Sequence, residues 1–176
     1  MKQAVSVALL VLAMGASTLV RGQVPGIMGG PMPLNDVPEE TPWSEKEIPL
    51  PSFPRDEDLL EFYVGPTATN RFFIDKTSIA PGEDGVVRYT LVIRTSGGAV
   101  NVTFEGIRCD TGEVKTYGIG RSDGSWVKSR TPTWKPIENK PINRHHAALR
   151  MEYFCAQGMI RNQADGIAAL KRGPLR

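Results

Sequence analysis

The stretch "VVRYTLVIRTSGGAVNVTFEGIRC", residues 86–109, decides the fold. Val87, Tyr89, Leu91 and Ile93 alternate with Arg88, Thr90, Val92 and Arg94, the period near two of a β-strand. In the second half, Val100, Val102 and Phe104 line one face, and Asn101, Thr103 and Glu105 the other. Between the two runs sits "SGGA", whose glycines suit a tight turn needing positive φ. A turn that short makes its two strands antiparallel neighbours.

The same grammar continues outward. "GEDG" precedes the first long strand and "DTGE" follows the second; "EVKTYGIGR", 113–121, then runs to "SDGS". Upstream, "LLEFYV" closes at Gly65-Pro66, and "RFFID", 71–75, is a further short strand. Residues 59–128 therefore predict an antiparallel meander of about five or six strands.

After the proline-interrupted loop "RTPTWKPIENKPI", which carries Trp134, the segment "NRHHAALRMEYFC" lacks turn residues and predicts a helix. On a regular helical wheel Ile142, His146, Leu149 and Tyr153 share a stripe. Ala147, Met151 and Phe154 fall nearly opposite, with Cys155 beside them. Apolar groups on two sides predict a sandwiched helix. Because His146 shares the stripe with Leu149, it is the histidine expected to matter for folding, and His145 the dispensable one. A last helix spans "NQADGIAALKRG", with Asn162 as its cap, Lys171 and Arg172 in its final turn and Gly173-Pro174 as a stop. Gly166 inside it lowers its propensity by about 1 kcal/mol relative to Ala. The fold class expected is α+β: an antiparallel sheet with one or two C-terminal helices packed on it.

The ends differ in texture. Lys2 is followed by "AVSVALLVLAMGASTLV" with no charge before Arg21, the pattern of a cleaved secretory signal over residues 1–22. Residues 23–58 are dense in Pro and Gly and show no strand or helix period, so they read as a flexible tether. Trp43 and Phe53 within it are expected to pack on the edge of the domain, which itself runs over 59–176. Lys and Arg total 21 against 19 Asp and Glu, and removal of Lys2 and Arg21 with a signal leaves 19 against 19. A balance this even gives no field for recruiting nucleic acid. No later segment is apolar for long enough to span a bilayer once the signal is removed.

Motifs for chemistry are sparse. No G-x-S-x-G elbow, S-x-x-K, G-x-G-x-x-G or phosphate-binding loop is present. His145 and His146, the only histidines, diverge by about 100° on a regular helix and would not chelate one ion. No metal and no cofactor are expected, and no catalytic residue is assigned. Candidate ligand or partner contacts are Asn70, Arg71, Trp126, Trp134, Arg144, His145 and His146. For Asn70, Arg71 and Arg144 a structural use, satisfying loop backbone or a carboxylate, stands beside the binding one.

The cysteines number two. Cys109 ends a strand beside Arg108 and Asp110, a poor setting for a low-pKa thiol. An exported chain meets an oxidising compartment, where two lone cysteines pair. A Cys109–Cys155 disulfide tying helix to sheet is therefore expected. It would close a loop of nearly fifty residues, with a chain-entropy contribution of about 4 kcal/mol.

At "FYVGPTATNRFFID", "GVVRYTLVIRTSGGAVNVTFEGIRC", "GRSDGSW" and "INRHHAAL" the chain resembles the CNP-one-like family of small exported bacterial proteins, chiefly proteobacterial, over residues 59–170. That resemblance implies a cell-envelope location, periplasmic or secreted, and carries over no activity and no site. The layout "FIDKTSI…VVRYTLVI…FEGIRC" is also similar to surface-adhesin protein E domains, which implies an antiparallel sheet with a flanking helix and a binding role. Two functional readings follow. One is a non-enzymatic envelope domain that binds or supports a partner, an envelope protein or glycan, through its sheet face or loops. The other is a small periplasmic enzyme using His145 or His146 as general base, with Glu105 or Asp75 nearby.

If the first twenty-odd residues are a signal, N-terminal sequencing of exported protein should find it beginning between about residues 17 and 23. Recovery of intact Met1 on membrane-bound material would contradict it.

Overall fold

The computed structural model describes residues 42–175; the signal-like segment and the tether up to residue 41 lie outside the described residues. Eight strands follow in chain order: β1 (Leu59–Phe62), β2 (Arg71–Asp75), β3 (Ala80–Pro81), β4 (Val86–Arg94), β5 (Val100–Arg108), β6 (Glu113–Gly120), β7 (Trp126–Lys128) and β8 (Lys135–Pro136). They form one antiparallel sheet in the order β1-β2-β4-β5-β6-β7, with β3 on β4 and β8 on β6. The meander is as expected, with two short strands added. β4 and β5 pair over nine positions, from Val86 opposite Arg108 to Arg94 opposite Val100. The turns use the glycines the sequence supplies: Gly98 and Gly112 sit at φ +86° and +69°, where a Cβ would be strained.

One face of the sheet is covered by helices. Helix α1, Arg144–Ala148, runs without a break into a π-wound segment, Leu149–Phe154, and α2 spans Gln163–Arg172. Leu149, Tyr153 and Phe154 are buried against Val87, Tyr89, Leu91 and Ile107 of the two long strands. Asn162 caps α2, its side chain accepting from the Asp165 N–H at 2.9 Å. Gly166 has a packing role that propensity alone misses. A Cβ there would lie 2.9 Å from Ile160 Cδ1 and Ile79 Cγ2, so the glycine lets α2 settle onto its neighbours.

The inward stripe differs from the one read on a wheel: Ile142 lies in a 3-10 turn, Pro141–Asn143, ahead of α1, and His145 stands one α-helical turn before the buried Leu149. His145 is buried, 7% exposed, while Ile142 and Met151 are 80% and 60% exposed. A regular wheel puts Ile142 on the stripe with Leu149; the structure turns it out and brings His145 in. The expectation that His145 is dispensable for folding is therefore corrected: it is the buried histidine of the two.

The opposite face, which carries Arg88 and Thr90 of β4, is covered too. Val86–Val92 are buried at every position, including Arg88, which is 2% exposed. The cover is the chain from Pro42 to Asp58, read above as the end of a tether. It contains no strand and only a short 3-10 turn, Asp56–Asp58, yet it is strapped to the sheet by side chains. Trp43 Nε1 donates to the Asp84 carbonyl at 2.8 Å, and the Lys46 N–H to Asp84 Oδ2 at 2.8 Å. Glu45 accepts from Lys115 Nζ and the Tyr117 hydroxyl, both at 2.7 Å. Trp126 Nε1 donates to the Pro51 carbonyl at 2.9 Å, with its ring 5.5 Å from that of Phe53. The side chains of Leu50 and Phe53 lie 2.8 Å from where Gly118 and Gly120 would carry a Cβ, so these two strand glycines form the seat of the strap. The compact unit accordingly starts at Pro42, and the boundary at residue 59 is corrected.

The buried arginine is neutralised by Asp84 of the turn before β4, and the strap adds an acceptor. Arg88 forks onto both oxygens of Asp84, at 3.0 and 2.6 Å, and donates to the Lys46 carbonyl at 2.9 Å. Burial works against the Asp84 carboxylate, but Arg88 and the Lys46 N–H outweigh it and hold its pKa at about 2.

The helix layer is stapled to the sheet by the Cys109–Cys155 disulfide, whose Cα atoms are 5.6 Å apart across 46 positions of sequence. Among the described residues no helix is long and apolar enough to cross a membrane.

A chain begun at Leu59 lacks the strap and leaves Arg88 without two of its partners. It should unfold at lower urea than one begun at Pro42, with a loss of at least about 3 kcal/mol. Equal urea midpoints would show that the strap lies on the sheet without holding it.

Candidate functional site

The free side of β6 receives two strands that do not meet. β7 pairs with Gly118–Gly120 and β8 with Glu113–Val114, so Lys115–Tyr117 face no strand between them. Ser129 N–H donates to the Tyr117 carbonyl at 2.8 Å, and the chain then leaves the sheet. Pro132 and Pro136 lie in this connection, where a ring in place of an N–H obstructs a continuous ladder. Where the connection arches away, it leaves a cleft of about 530 Å³. Its floor includes Val114 and Thr116; its walls include Ser129, Thr131, Thr133 and Lys135 of the arch, and Asn143 and His146 of the helix.

His146 connects this cleft to a buried carboxylate. Its Nε2 lies 2.8 Å from Glu105 Oε2. Glu105, 4% exposed, also accepts from the Tyr89 hydroxyl at 3.2 Å and the Thr103 hydroxyl at 2.9 Å. It reaches this place because β5 turns residues 103, 105 and 107 toward the helices, and a register shift between Phe104 and Glu105 sets Thr116 opposite Glu105. Burial opposes ionisation of Glu105. The His146 bond and charge, with Thr103, outweigh it and hold the carboxyl below its ordinary range. The ionised carboxylate then requires that Nε2 of His146 carry the proton and donate it. That fixes the ring and leaves Nδ1 as the remaining polar atom of the imidazole.

His145 has a different setting. Its ring stacks on Phe72, with centroids 5.2 Å apart and planes 19° from parallel, and lies 4.0 Å from the ring of His146. Burial, with the neighbouring His146 charge, pushes its pKa down to about 4, so it is neutral in the folded protein above that pH. Tyr89 is pushed well above the ordinary tyrosine value by burial and by Glu105. Glu105, His146 and Tyr89 form a small polar island in an otherwise apolar layer.

The other sequence candidates lie elsewhere. Arg71 makes a two-point pair with Glu61, at 2.9 and 2.6 Å, on the opposite edge of the sheet, next to Asn70. Arg144 reaches the Thr67 hydroxyl at 3.3 Å. Trp126 and Trp134 hold the strap: Trp134 Nε1 donates to Glu45 at 3.2 Å, and its ring meets Trp43 edge-on at 6.1 Å. Asp75, the other carboxylate suggested for a histidine base, instead accepts from the backbone and hydroxyl of Thr77 at 2.9 and 2.8 Å. Of the contacts proposed from sequence, only His146 lines the cleft, with Glu105 behind it. The hydroxyls of Thr116, Ser129, Thr131 and Thr133 were missed. Their signal was present as three Ser/Thr residues alternating with Arg130 and Pro132 just after a strand, but a loop of that composition reads first as a turn. Among the described residues no cluster of three or more His, Cys, Asp or Glu is arranged to hold a metal ion.

Fold and site together define an α+β domain with a sheet covered on both faces and one edge opened into a hydroxyl-lined cleft. This chain belongs to the CNP1-like family, whose model matches residues 38–171. The match begins ahead of the strap, so the strap lies within the family's domain. The chain is 28% identical over 163 residues to Cryptic neisserial protein 1 of Neisseria gonorrhoeae, covering 79% of this chain and 80% of that protein. No solved structure matches significantly.

His145 yields a pH dependence of stability. Its pKa is lowered on folding, so the unfolded chain takes up a proton more readily. Stability is full above about pH 6.5 and is lost as the pH falls toward 4, by on the order of 3 kcal/mol. Urea unfolding at pH 7.5 and 4.5 should show this loss, and His145→Gln should shrink it. An unchanged pH slope in that variant would place the acid sensitivity elsewhere.

Proposed function

We propose that the protein is an exported cell-envelope domain that works as a binding module, with the cleft beside β6 as its binding site. The observation that carries this reading is the cleft itself: a concavity of about 530 Å³, lined by four hydroxyl side chains and bordered by a histidine that a buried carboxylate holds in place. Ligand pockets of this order combine apolar walls with a few fixed polar groups. Export is supported by the signal-like start and by the paired cysteines, which persist in oxidising compartments. The sheet faces are unavailable to a partner, since helices cover one and the strap the other. Binding through the edge and its loop is what remains of the expected modes.

A second reading, an enzyme with His146 as general base, is favoured by one observation, the 2.8 Å contact with Glu105. Against it, no hydroxyl of the cleft is hydrogen-bonded to His146 among the described residues, so no activated nucleophile stands there.

Titrating size-fractionated envelope glycans and proteins into isotope-labelled mature protein should move the backbone resonances of Thr116, Ser129, Thr131 and Lys135 before any others. Shifts confined to the turn at Asn70 and Arg71 would relocate the site. Turnover of any added ester or glycoside that disappears in His146→Gln would transfer the case to the enzyme reading.

A further inference from the structure

The charge of this chain is even overall but uneven along it. From Trp126 to Arg150 there are six basic residues, Lys128, Arg130, Lys135, Lys140, Arg144 and Arg150, against the single acid Glu138. Elsewhere the basic residues are mostly spent on carboxylates: Lys46, Arg55, Arg71, Lys76, Arg88, Arg94, Lys115 and Arg161 all form ion pairs. In this segment Lys140 pairs with Glu138, and Lys128, Arg130, Lys135, Arg144 and Arg150 have no carboxylate within 4.0 Å among the described residues; elsewhere the same holds for Arg108, Arg121, Lys171 and Arg172. The segment is the arch and the helix start that wall the cleft. Of the acids near the cleft, Glu138 is paired with Lys140, and Glu105 is buried behind the wall and hydrogen-bonded by His146, Tyr89 and Thr103. Lys135 is left on the wall as an unpaired cation.

We propose that the cleft binds an anionic saccharide, a ligand carrying carboxylate or phosphate groups on a polyhydroxylated ring frame. The inference rests on the cleft being the binding site and adds the chemistry of what occupies it. Lys135 supplies the charge for the acidic group. Thr116, Ser129, Thr131 and Thr133, with the Asn143 amide, supply donors and acceptors matched to ring hydroxyls. Val114, Pro136 and Ile137 offer apolar surface of the kind that the C–H face of a sugar covers. The exposed cations Lys128 and Arg130 extend the positive field beyond the cleft, which favours a chain of acidic sugars over a lone ion. A flexible or polymeric acid without hydroxyls uses the field but leaves the hydroxyl lining unmatched.

The test is calorimetric titration of the whole mature protein with four probes: an oligogalacturonate tetrasaccharide, a phosphorylated disaccharide, a neutral cello-oligosaccharide of the same length, and inorganic phosphate. Either or both acidic saccharides should bind, and which one binds better tells carboxylate from phosphate. The neutral sugar and free phosphate should bind more weakly by about tenfold or more. Lys135→Gln should weaken the acidic saccharide by a similar factor, whereas Lys171→Gln on α2 should not, and added salt should weaken binding. Equal affinity for the neutral sugar, with cleft resonances still moving, would overturn the anionic ligand and leave the cleft as a site. Tighter binding of a single-stranded oligonucleotide of equal charge would overturn the saccharide. Binding unaffected by Lys135→Gln, or the absence of any effect of these probes on cleft resonances, would overturn the proposal. If envelope fractions nonetheless moved those resonances, the binding-module reading would survive it.

Discussion

A central strand buried on both faces, with an arginine in it, is the constraint from which the rest of this domain follows. β4 has no solvent side between Val86 and Val92, so the chain must supply two covers. Helices make one, by ordinary apolar packing. The other must also satisfy a guanidinium, because an unpaired buried charge is strongly unfavourable. That requirement explains why a segment with no regular strand or helix of more than one turn, rich in proline, carries Trp43, Glu45 and the Lys46 carbonyl to positions over Asp84 and Arg88. Side-chain bonds and glycine seats do for the strap what ladder hydrogen bonds do for a strand.

The cleft is a by-product of the same architecture put to use. Covering both faces leaves the edges as the accessible parts of the sheet. At one edge, prolines in the connection after β7 obstruct continuous pairing with β6, and the gap is the cleft. The polar island of Glu105, His146 and Tyr89 lies where the helix layer ends against this edge. A carboxylate in an apolar layer is tolerated there because three donors surround it, and their geometry is what fixes the imidazole at the cleft wall.

Membership in the CNP1-like family and the likeness to the neisserial protein place the whole domain, strap included, in one family unit. The disulfide joins the strand end at Cys109 to the end of the π-wound segment, so helix layer and sheet stay covalently linked and the unfolded chain is restricted. Arg150 adds to that junction, donating to the Cys109 carbonyl at 3.2 Å beneath the turn glycine Gly112.

The meander was legible in the sequence because strand alternation and turn glycines are local properties. Val87 to Ile93 and the "SGGA" turn needed no distant partner to be read, and the antiparallel order followed from short connections. The pairing of the two cysteines was legible through the expectation of export, since an exported chain meets an oxidising compartment where two lone thiols pair. Tertiary structure alone decided the burial of Arg88, because alternation reports that one face differs from the other and not whether both are covered. It also decided which histidine is buried, since Ile142 lies in a 3-10 turn outside the α-helix and His145 meets Phe72 of a distant strand. The cleft was the least legible feature: Thr116, Thr131, Lys135 and His146 come from a strand, a loop and a helix, and only the divergence of β7 and β8 from β6 brings them around one space.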